Sequence, residues 1–330
     1  MLKDGVLSAL HHSGIMPAVR SLFAGPGAIL MFHEIHRNVD NELRTGVAAQ
    51  FLDLVVPWLR SAGWDIISLD EASSRLSSSS DRRSRFAVLT FDDGYIDNMA
   101  CALPILERHR APFTVYIPTS AIDRTLNSWW IGLRKIIQTH ESIDMRPMDK
   151  RFRCVSLAEK VKTLVDIGDW IHRDYARIAE LPALFHQHRI SLPDLNEQYF
   201  LNEEQLKQFA RSPLVTIGAH TVSHPALSLL DESTIHRELT DNRNYLESLL
   251  QRPVRHFAYP YGNAGDREHA VAAKAGFETA VTTRNMPILN FSDKSFALPR
   301  LGISADTRLE SLDAKISGLR DALLRRLPFH

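Results

Sequence analysis

The sequence predicts an α/β fold, in which short buried strands alternate with amphipathic helices to form a parallel sheet or a (β/α) barrel. Three observations support this prediction. Apolar runs rich in β-branched and aromatic residues recur along the chain, apolar residues between them recur at helical spacing, and glycine or polar residues separate the two kinds of segment. With 330 residues, the chain is long enough to bury a large core.

The alternation is most regular in the first third of the chain. Gly63 is placed to end the predicted helix 51–59, and Pro104 is expected to kink or restart the predicted helix 97–109. The serine run 77–80 is expected to be a surface loop. The predicted strands are 28–32, 66–67, 86–91 and 113–117, and the predicted helices are 51–59, 69–76 and 97–109.

From about 123 to 200 the pattern changes to helices with few strand signals, which predicts a helical insertion beside the barrel. A separate second domain is the rival interpretation, but the alternation resumes afterwards and favours one interrupted domain, 28–305, after an N-terminal segment, 1–27. A C-terminal helix lies within 306–330. The later predicted strands are 214–217, 254–258, 279–282 and 296–303, and the later helices are 202–209, 232–250, 267–276 and 309–327.

Composition excludes several classes of protein. Lys+Arg and Asp+Glu both number 39, so no overall basic field favours nucleic acid. The two cysteines, Cys101 and Cys154, do not predict a disulfide framework. With no visible export signal and no apolar run long enough to span a bilayer, we expect a cytoplasmic protein. One N-terminal amphipathic stripe could rest on a membrane surface, although core packing is favoured: Val6, Leu7, Leu10, Ile15, Val19, Leu22 and Phe23.

Two adjacent carboxylates, Asp92 and Asp93, follow directly after the predicted strand 86–91. Alone, an Asp-Gly pair is more often a simple turn. Neighbouring carboxylates repel each other, so a cation, a shared proton or divergent orientations must separate their roles. The tip of another parallel strand would bring further side chains to the same edge of the sheet.

The strand 214–217 leads to His220 and His224, and Pro225 disfavours a helix there. One aspartate and two histidines form a three-ligand set, which with an open fourth position is typical of a catalytic divalent metal, most readily zinc. Asp93, His220 and His224 would be the ligands. Asp92 would then act as the base that accepts a proton from activated water.

Three motifs resemble those of the polysaccharide deacetylase family, the chitin-oligosaccharide deacetylase homology domain. They are 90–95 (TFDDGY), 220–224 (HTVSH) and 259–262 (YPYG), in the family's order. The resemblance implies a distorted (β/α) barrel, a metal-dependent hydrolase and an acetylated carbohydrate substrate. It assigns Asp92 as general base and Asp93, His220 and His224 as metal ligands, with Pro260 and Tyr261 lining the groove and the Tyr261 N–H helping to hold the oxyanion.

The sequence departs from the family pattern at two positions. The family places a histidine near the C-terminus, whereas this chain has none between His269 and His330. His33 is the best substitute general acid, because circularly permuted members carry the equivalent strand first; a structural histidine is the alternative. Ala258 stands where many members have an arginine that orients the base, and Arg300 either supplies that charge or is a surface arginine.

Aromatic side chains suit a sugar ligand, and Tyr95, Tyr259 and Tyr261 are candidates for such a wall. For Trp129 and Trp130, core packing is the stronger interpretation. The predicted activity is removal of N-acetyl groups from N-acetylhexosamine units of a bacterial surface polysaccharide or its lipid-linked precursor. An O-acetyl esterase and a catalytically weak carbohydrate-binding or scaffold protein are the alternatives.

Overall fold

Eight parallel strands pair into one curled sheet in the computed structural model, which describes residues 11, 13–37, 43, 45–77, 84–290 and 295–318. The spatial order is β11-β10-β9-β6-β5-β1-β12, and β4 adds to the edge of β5. The strands are β1 (Gly27–Phe32), β2 (Ile35–His36), β3 (Val47–Ala48), β4 (Trp64–Ile66), β5 (Arg85–Phe91), β6 (Phe113–Ile117), β7 (Ser142–Met145), β8 (Lys150–Arg153), β9 (Val215–Ala219), β10 (His256–Ala258), β11 (Thr279–Val281) and β12 (Leu301–Gly302).

The two ends of the sheet meet near the C-terminal strand. Leu301 pairs with Leu30 of β1, while Leu298 forms a parallel bridge with Val281 of β11. The Leu298 N–H donates to the Ala280 carbonyl at 3.0 Å. The sheet therefore curls into a distorted (β/α) barrel, and the predicted fold class is confirmed.

The barrel strands are apolar on both faces because helices cover the outside. In β5, the six residues from Phe86 to Phe91 are all buried. Phe91 stacks on Phe32 at 5.1 Å between ring centroids and meets the edge of Phe113 at 5.4 Å, which joins three neighbouring strands. This packing fixes the positions of the strand ends that carry polar residues.

The helices follow the predicted order. They are α1 (Met16–Phe23), α2 (Ala49–Ser61), α3 (Leu69–Ser77), α4 (Leu103–Arg108), α5 (Thr119–Ile122), α6 (Trp129–Thr139), α7 (Leu157–His172), α8 (Leu181–Gln187), α9 (Leu192–Tyr199), α10 (Glu203–Phe209), α11 (Glu232–Leu250), α12 (Asp266–Lys274) and α13 (Leu309–Ile316). A π-helix, Asn98–Ala102, precedes α4, and Pro104 stands in the first turn of α4, where proline is tolerated. The predicted restart is confirmed.

The insertion contains more than helices. The antiparallel pair β7 and β8, linked by a 3₁₀ turn with Asp149 in the left-handed region, was not predicted, because only Ile143 and Met145 alternate as buried residues in so short a run. After β8, α7 is followed by a separate 3₁₀ helix, Tyr175–Glu180. The insertion has its own apolar cluster, including Leu133, Ile136, Ile143, Ile167 and Phe185.

Several predicted boundaries differ from the structure. The strand expected at 296–303 pairs regularly only at Leu301–Gly302, and the strand expected at 66–67 is Trp64–Ile66. The small parallel pair of β2 and β3 was not predicted. The expected end of the last helix at Leu327, most of the serine loop and Val6, Leu7 and Leu10 lie outside the described residues.

The N-terminal stripe is only partly buried where the structure describes it. Ile15 is 46% exposed and Leu22 is 76% exposed, so the favoured core packing is wrong for these two residues. Cys101 and Cys154 are both free thiols, as expected. Within the described ranges, none of the helices has the length and apolar character needed to cross a membrane.

Candidate active site

The polar residues predicted to act together lie at the carboxyl ends of neighbouring barrel strands. Asp92 and Asp93 follow β5 directly, and His220 follows β9. Asp93 adopts a φ of 72°, a region that costs a non-glycine residue free energy. Gly94 continues the turn with a φ of 70°. This sharp reversal directs the two adjacent carboxylates to different partners.

One oxygen of Asp93 is the meeting point of two imidazoles. The Nε2 atoms of His220 and His224 each lie 3.5 Å from Asp93 Oδ1. The three ligand atoms lie within 4.8 Å of one another, and all three residues are buried. Two nitrogens and one carboxylate oxygen at this spacing are a donor set that suits a divalent transition metal.

The protonation of the histidines also fits metal binding. His220 Nδ1 lies 2.7 Å from the Ala258 carbonyl oxygen, so Nδ1–H donates to that oxygen and Nε2 is the atom that faces Asp93. Burial lowers the pKa of His224 to about 3, which leaves its imidazole neutral. Burial alone would raise the pKa of Asp93, but the interaction with His220 holds it below the ordinary value. Asp93 is therefore ionised and His224 neutral, the forms in which these groups bind a metal.

The loop that carries the histidines is held by two residues of α11, neither of which was predicted to take part in the site. Asn242 is fully buried; its Oδ1 accepts from the His220 N–H at 3.2 Å, and its Nδ2 donates to the carbonyls of Ile117 and Thr221. Glu238 Oε2 accepts from the N–H groups of residues 222 and 223, each at 2.9 Å. These bonds stabilise a loop strained by positive φ at Thr221 and His224, 64° and 57°.

Asp92 is bound on both carboxylate oxygens by Arg300. The Nη1–Oδ1 and Nη2–Oδ2 distances are both 2.7 Å, and the arginine side chain is fully buried. Arg300 Nε donates to the Thr282 carbonyl at 3.0 Å. Burial alone would raise the pKa of Asp92, but the Arg300 guanidinium holds it below the usual value. Arg300 is therefore the buried partner of Asp92 and not a surface arginine.

His33 follows β1 and stands at the open side of the same carboxylate. Its Nε2 lies 3.9 Å from Asp92 Oδ2, and its side chain is 42% exposed. The carbonyl of His33 accepts from Asn98 Nδ2 at 2.8 Å, in the first turn of the π-helix. The backbone is thus anchored while the imidazole stays accessible from the cleft.

Tyrosine–tryptophan hydrogen bonds form one wall of the cleft. Trp129 Nε1 donates to the Tyr261 hydroxyl at 3.0 Å, and Trp130 Nε1 donates to the Tyr95 hydroxyl at 2.7 Å. The ring of His224 lies 4.7 Å from that of Tyr261 and 5.2 Å from that of Trp130. Both tryptophans pack against the insertion core and position the tyrosines beside Asp93, His220 and His224.

The structure places two predicted contact residues away from the cleft. Tyr259 is fully buried, packs against Phe257 and His269, and donates its hydroxyl to the Phe296 carbonyl at 3.0 Å. Pro260 is buried in the 3₁₀ turn Pro260–Gly262. Neither is among the described residues that line the cleft, whereas Tyr95 and Tyr261 are. The prediction that Tyr259 contacts a ligand is not supported, because its side chain turns into the core.

The insertion forms the far side of the cleft, which has a volume of about 610 Å³. Arg134 of α6 is buried and binds both oxygens of Glu34 through Nη1, at 2.6 and 2.8 Å. This pair ties the insertion to the end of β1. The insertion also contributes apolar and aromatic lining residues: Trp129, Leu133, Leu164, Gly168, His172 and Tyr175.

Comparisons with known proteins point to one family. A sequence model of the polysaccharide deacetylase family matches residues 79–280. The Bacillus subtilis (strain 168) protein YxkH, named as a polysaccharide deacetylase, is 21% identical over 293 residues, which cover 88% of this chain and 76% of YxkH.

Solved structures show the same fold at low sequence identity. The deacetylase PplD of Streptococcus pyogenes, in complex with acetate, has a TM-score of 0.59 and 20% identity, covering 89% of this chain and 99% of PplD. IcaB from Ammonifex degensii has a TM-score of 0.59 and 16% identity, covering 89% of this chain and 98% of IcaB.

Proposed function

This chain belongs to the polysaccharide deacetylase family, and we propose that it removes N-acetyl groups from N-acetylhexosamine units of a bacterial surface polysaccharide or its lipid-linked precursor. The observation that carries this proposal is the juxtaposition of two differently partnered carboxylates. Asp93 meets His220 and His224, while Asp92 is bound by Arg300. One carboxylate is thus suited to bind a cation and the other to accept a proton.

Asp93, His220 and His224 would hold the metal, and zinc is the ion that best suits two imidazoles and one carboxylate. When bound, such an ion supplies Lewis acidity, which polarises the acetamide carbonyl and acidifies water. The tautomer fixed by the Ala258 carbonyl and the burial of His224 prepare both nitrogens for this role.

Asp92 is the proposed general base. It is ionised and held in one orientation by Arg300, and each of its oxygens keeps a lone pair for a water proton. As this proton moves to Asp92, the water oxygen bonds to the acetyl carbon and negative charge develops on the carbonyl oxygen. The N–H of Tyr261, in a turn with a φ of 59°, is the proposed hydrogen-bond donor to this oxyanion.

His33 is the proposed general acid. When the C–N bond breaks, the amine nitrogen needs a proton, and His33 stands beside Asp92 with an accessible ring. The products are acetate and a free amino sugar. Tyr95 and Tyr261 line the cleft next to the metal-ligand set, where their rings suit the C–H face of a pyranose.

Acetate release from short N-acetylglucosamine oligomers tests the proposal. The protein is assayed after chelation and again after addition of zinc, beside Asp93→Ala treated in the same way. We expect release only from the zinc-loaded wild type. O-acetylated xylo-oligomers serve as the second substrate, and hydrolysis of the esters without hydrolysis of the amides would replace the proposed reaction with O-deacetylation.

A further inference from the structure

We propose that the insertion forms an apolar arm of the cleft, which binds an alkyl or isoprenoid group attached to the sugar that is deacetylated. The apolar arm is defined by Leu133, Leu164, Gly168, His172 and Tyr175. This inference rests on the proposed deacetylase function. It adds that the substrate carries a hydrophobic substituent, so that a lipid-linked glycan is preferred over free polysaccharide.

A continuous series of ring contacts leads from the metal-ligand set to this arm. The ring of His224 lies 4.7 Å from that of Tyr261, which stacks on Tyr175 at 4.6 Å. Tyr175 in turn lies 6.0 Å from His172, at the end of α7. A ligand whose acetyl group lies at Asp93 can therefore extend along these rings to α7 without leaving the cleft.

On α7, the lining residues occupy a single face. Leu164, Gly168 and His172 are spaced four residues apart, which aligns them along one side of the helix. Gly168 leaves a gap in this face, because a Cβ built there would meet no atom within 4 Å. Leu133 of α6 contributes a buried aliphatic side chain to the arm. The gap at Gly168 therefore leaves space in the cleft for a narrow hydrocarbon chain.

The chemistry of the arm favours a hydrocarbon over a second sugar. A pyranose carries several hydroxyl groups, each of which requires a hydrogen-bond partner when it is buried. Among the described residues that define the arm, only the His172 ring and the Tyr175 hydroxyl have polar side-chain atoms, and the neighbouring Trp129 N–H is already bound to Tyr261. A hydrocarbon chain needs no such partners and gains free energy from burial.

Two glycosides of N-acetylglucosamine test the inference with the zinc-loaded protein. The ratio of kcat/KM for the hexyl β-glycoside to that for the methyl β-glycoside is expected to be about tenfold or more, as burial of a few methylene groups implies. In Gly168→Trp the ratio should fall close to one, because the indole fills the gap. Val165→Trp adds the same side chain to an exposed position of the same helix, 53% exposed, and should keep the wild-type ratio.

Two results would overturn the apolar arm. One is a wild-type ratio near one while the methyl glycoside is hydrolysed. The other is a kcat/KM for the methyl glycoside of the β-1,4-linked disaccharide that exceeds kcat/KM for the hexyl glycoside in wild type but not in Gly168→Trp. The arm would then hold a sugar.

A calorimetric titration separates this inference from the proposed activity. Hexyl β-D-glucoside carries no acetyl group, and metal-free protein can be used. Wild type and Val165→Trp are expected to bind it at least tenfold more tightly than Gly168→Trp. Binding with this pattern but no acetate release from any substrate would refute the deacetylase proposal and support the arm; equal binding by all three proteins would refute the arm.

Discussion

Arg300 binds both carboxylate oxygens of Asp92 at 2.7 Å, although the two residues are 208 positions apart in the chain. The pair is buried inside the barrel, and Thr90 Oγ1 accepts a further hydrogen bond from Arg300 Nη1 at 3.3 Å. Because a buried carboxylate without a cation would take up a proton, Arg300 is what keeps the proposed base ionised.

Removal of the Arg300 charge should shift the pH dependence of the reaction. Arg300 lowers the pKa of Asp92, so in Arg300→Met the pKa of Asp92 rises. The base must be ionised to act, and the acid limb of the kcat/KM profile should therefore move to higher pH. Arg300→Lys keeps a charge but loses the two-point contact, and we expect a smaller shift.

Stability must be measured in the same variants. Loss of one partner of a buried ion pair costs about 3–5 kcal/mol, so denaturant unfolding is needed to show that Arg300→Met is folded under assay conditions. An unchanged acid limb in folded Arg300→Met would contradict the assignment of Asp92 as the base.

Asp92→Asn should remove the base while preserving the metal ligands. We expect kcat for acetate release to fall by about 10²–10⁴, the range for loss of a general base. Zinc affinity should change little, because Asp92 is outside the ligand set. Asp93→Asn is the matched control and should lose zinc instead. Equal zinc loss in both variants would show that the two carboxylates do not have separate roles.

His33→Gln should affect amides far more than activated esters. A leaving amine needs a proton, whereas a p-nitrophenolate does not, so general-acid loss is expected to lower kcat for the N-acetyl substrate by about 10²-fold or more. Hydrolysis of p-nitrophenyl acetate should be nearly unchanged. His109→Gln, which removes a histidine bound to Asp53 on the outer surface, is the control. A parallel decrease for both substrates would indicate a structural role for His33.

Asn242→Ala should loosen the loop that carries His220 and His224. Its amide is fully buried and bonds to three backbone groups, so its loss is expected to destabilise the fold by about 1–3 kcal/mol and to weaken zinc binding by about 10–100-fold. Asn244→Ala changes an exposed asparagine of the same helix. Zinc affinity equal to that of wild type in Asn242→Ala would show that the loop is held without this residue.

The sequence was sufficient to predict the positions of the candidate site residues that follow a strand. Asp92, Asp93, His220 and His33 each follow a buried apolar run, and parallel strands bring their carboxyl ends to one edge. Arg300 remained ambiguous because nothing in its local sequence indicates that its side chain lies inside the barrel. Long-range register, with Leu301 beside Leu30, is what places it beneath Asp92.

Other site features depend on conformations that the sequence does not specify. Tyr259 and Tyr261 are both aromatic and two residues apart, but Tyr261 takes a φ of 59° and turns into the cleft while Tyr259 packs in the core. For Asn242, the sequence contained one indication of a buried structural role. It occupies the buried stripe of α11 with Ile235, Leu239 and Leu246, where a polar residue must find buried partners.

A zinc titration of chelated protein, with zinc binding and acetate release measured on the same samples, tests whether Asp93, His220 and His224 form a catalytic metal site. We predict that acetate release rises in proportion to bound zinc, saturates at about one zinc per chain, and is lost in Asp93→Ala, His220→Ala and His224→Ala. Acetate release that persists after complete chelation, or zinc binding that is unchanged in all three variants, would contradict the claim that these residues form the catalytic metal site.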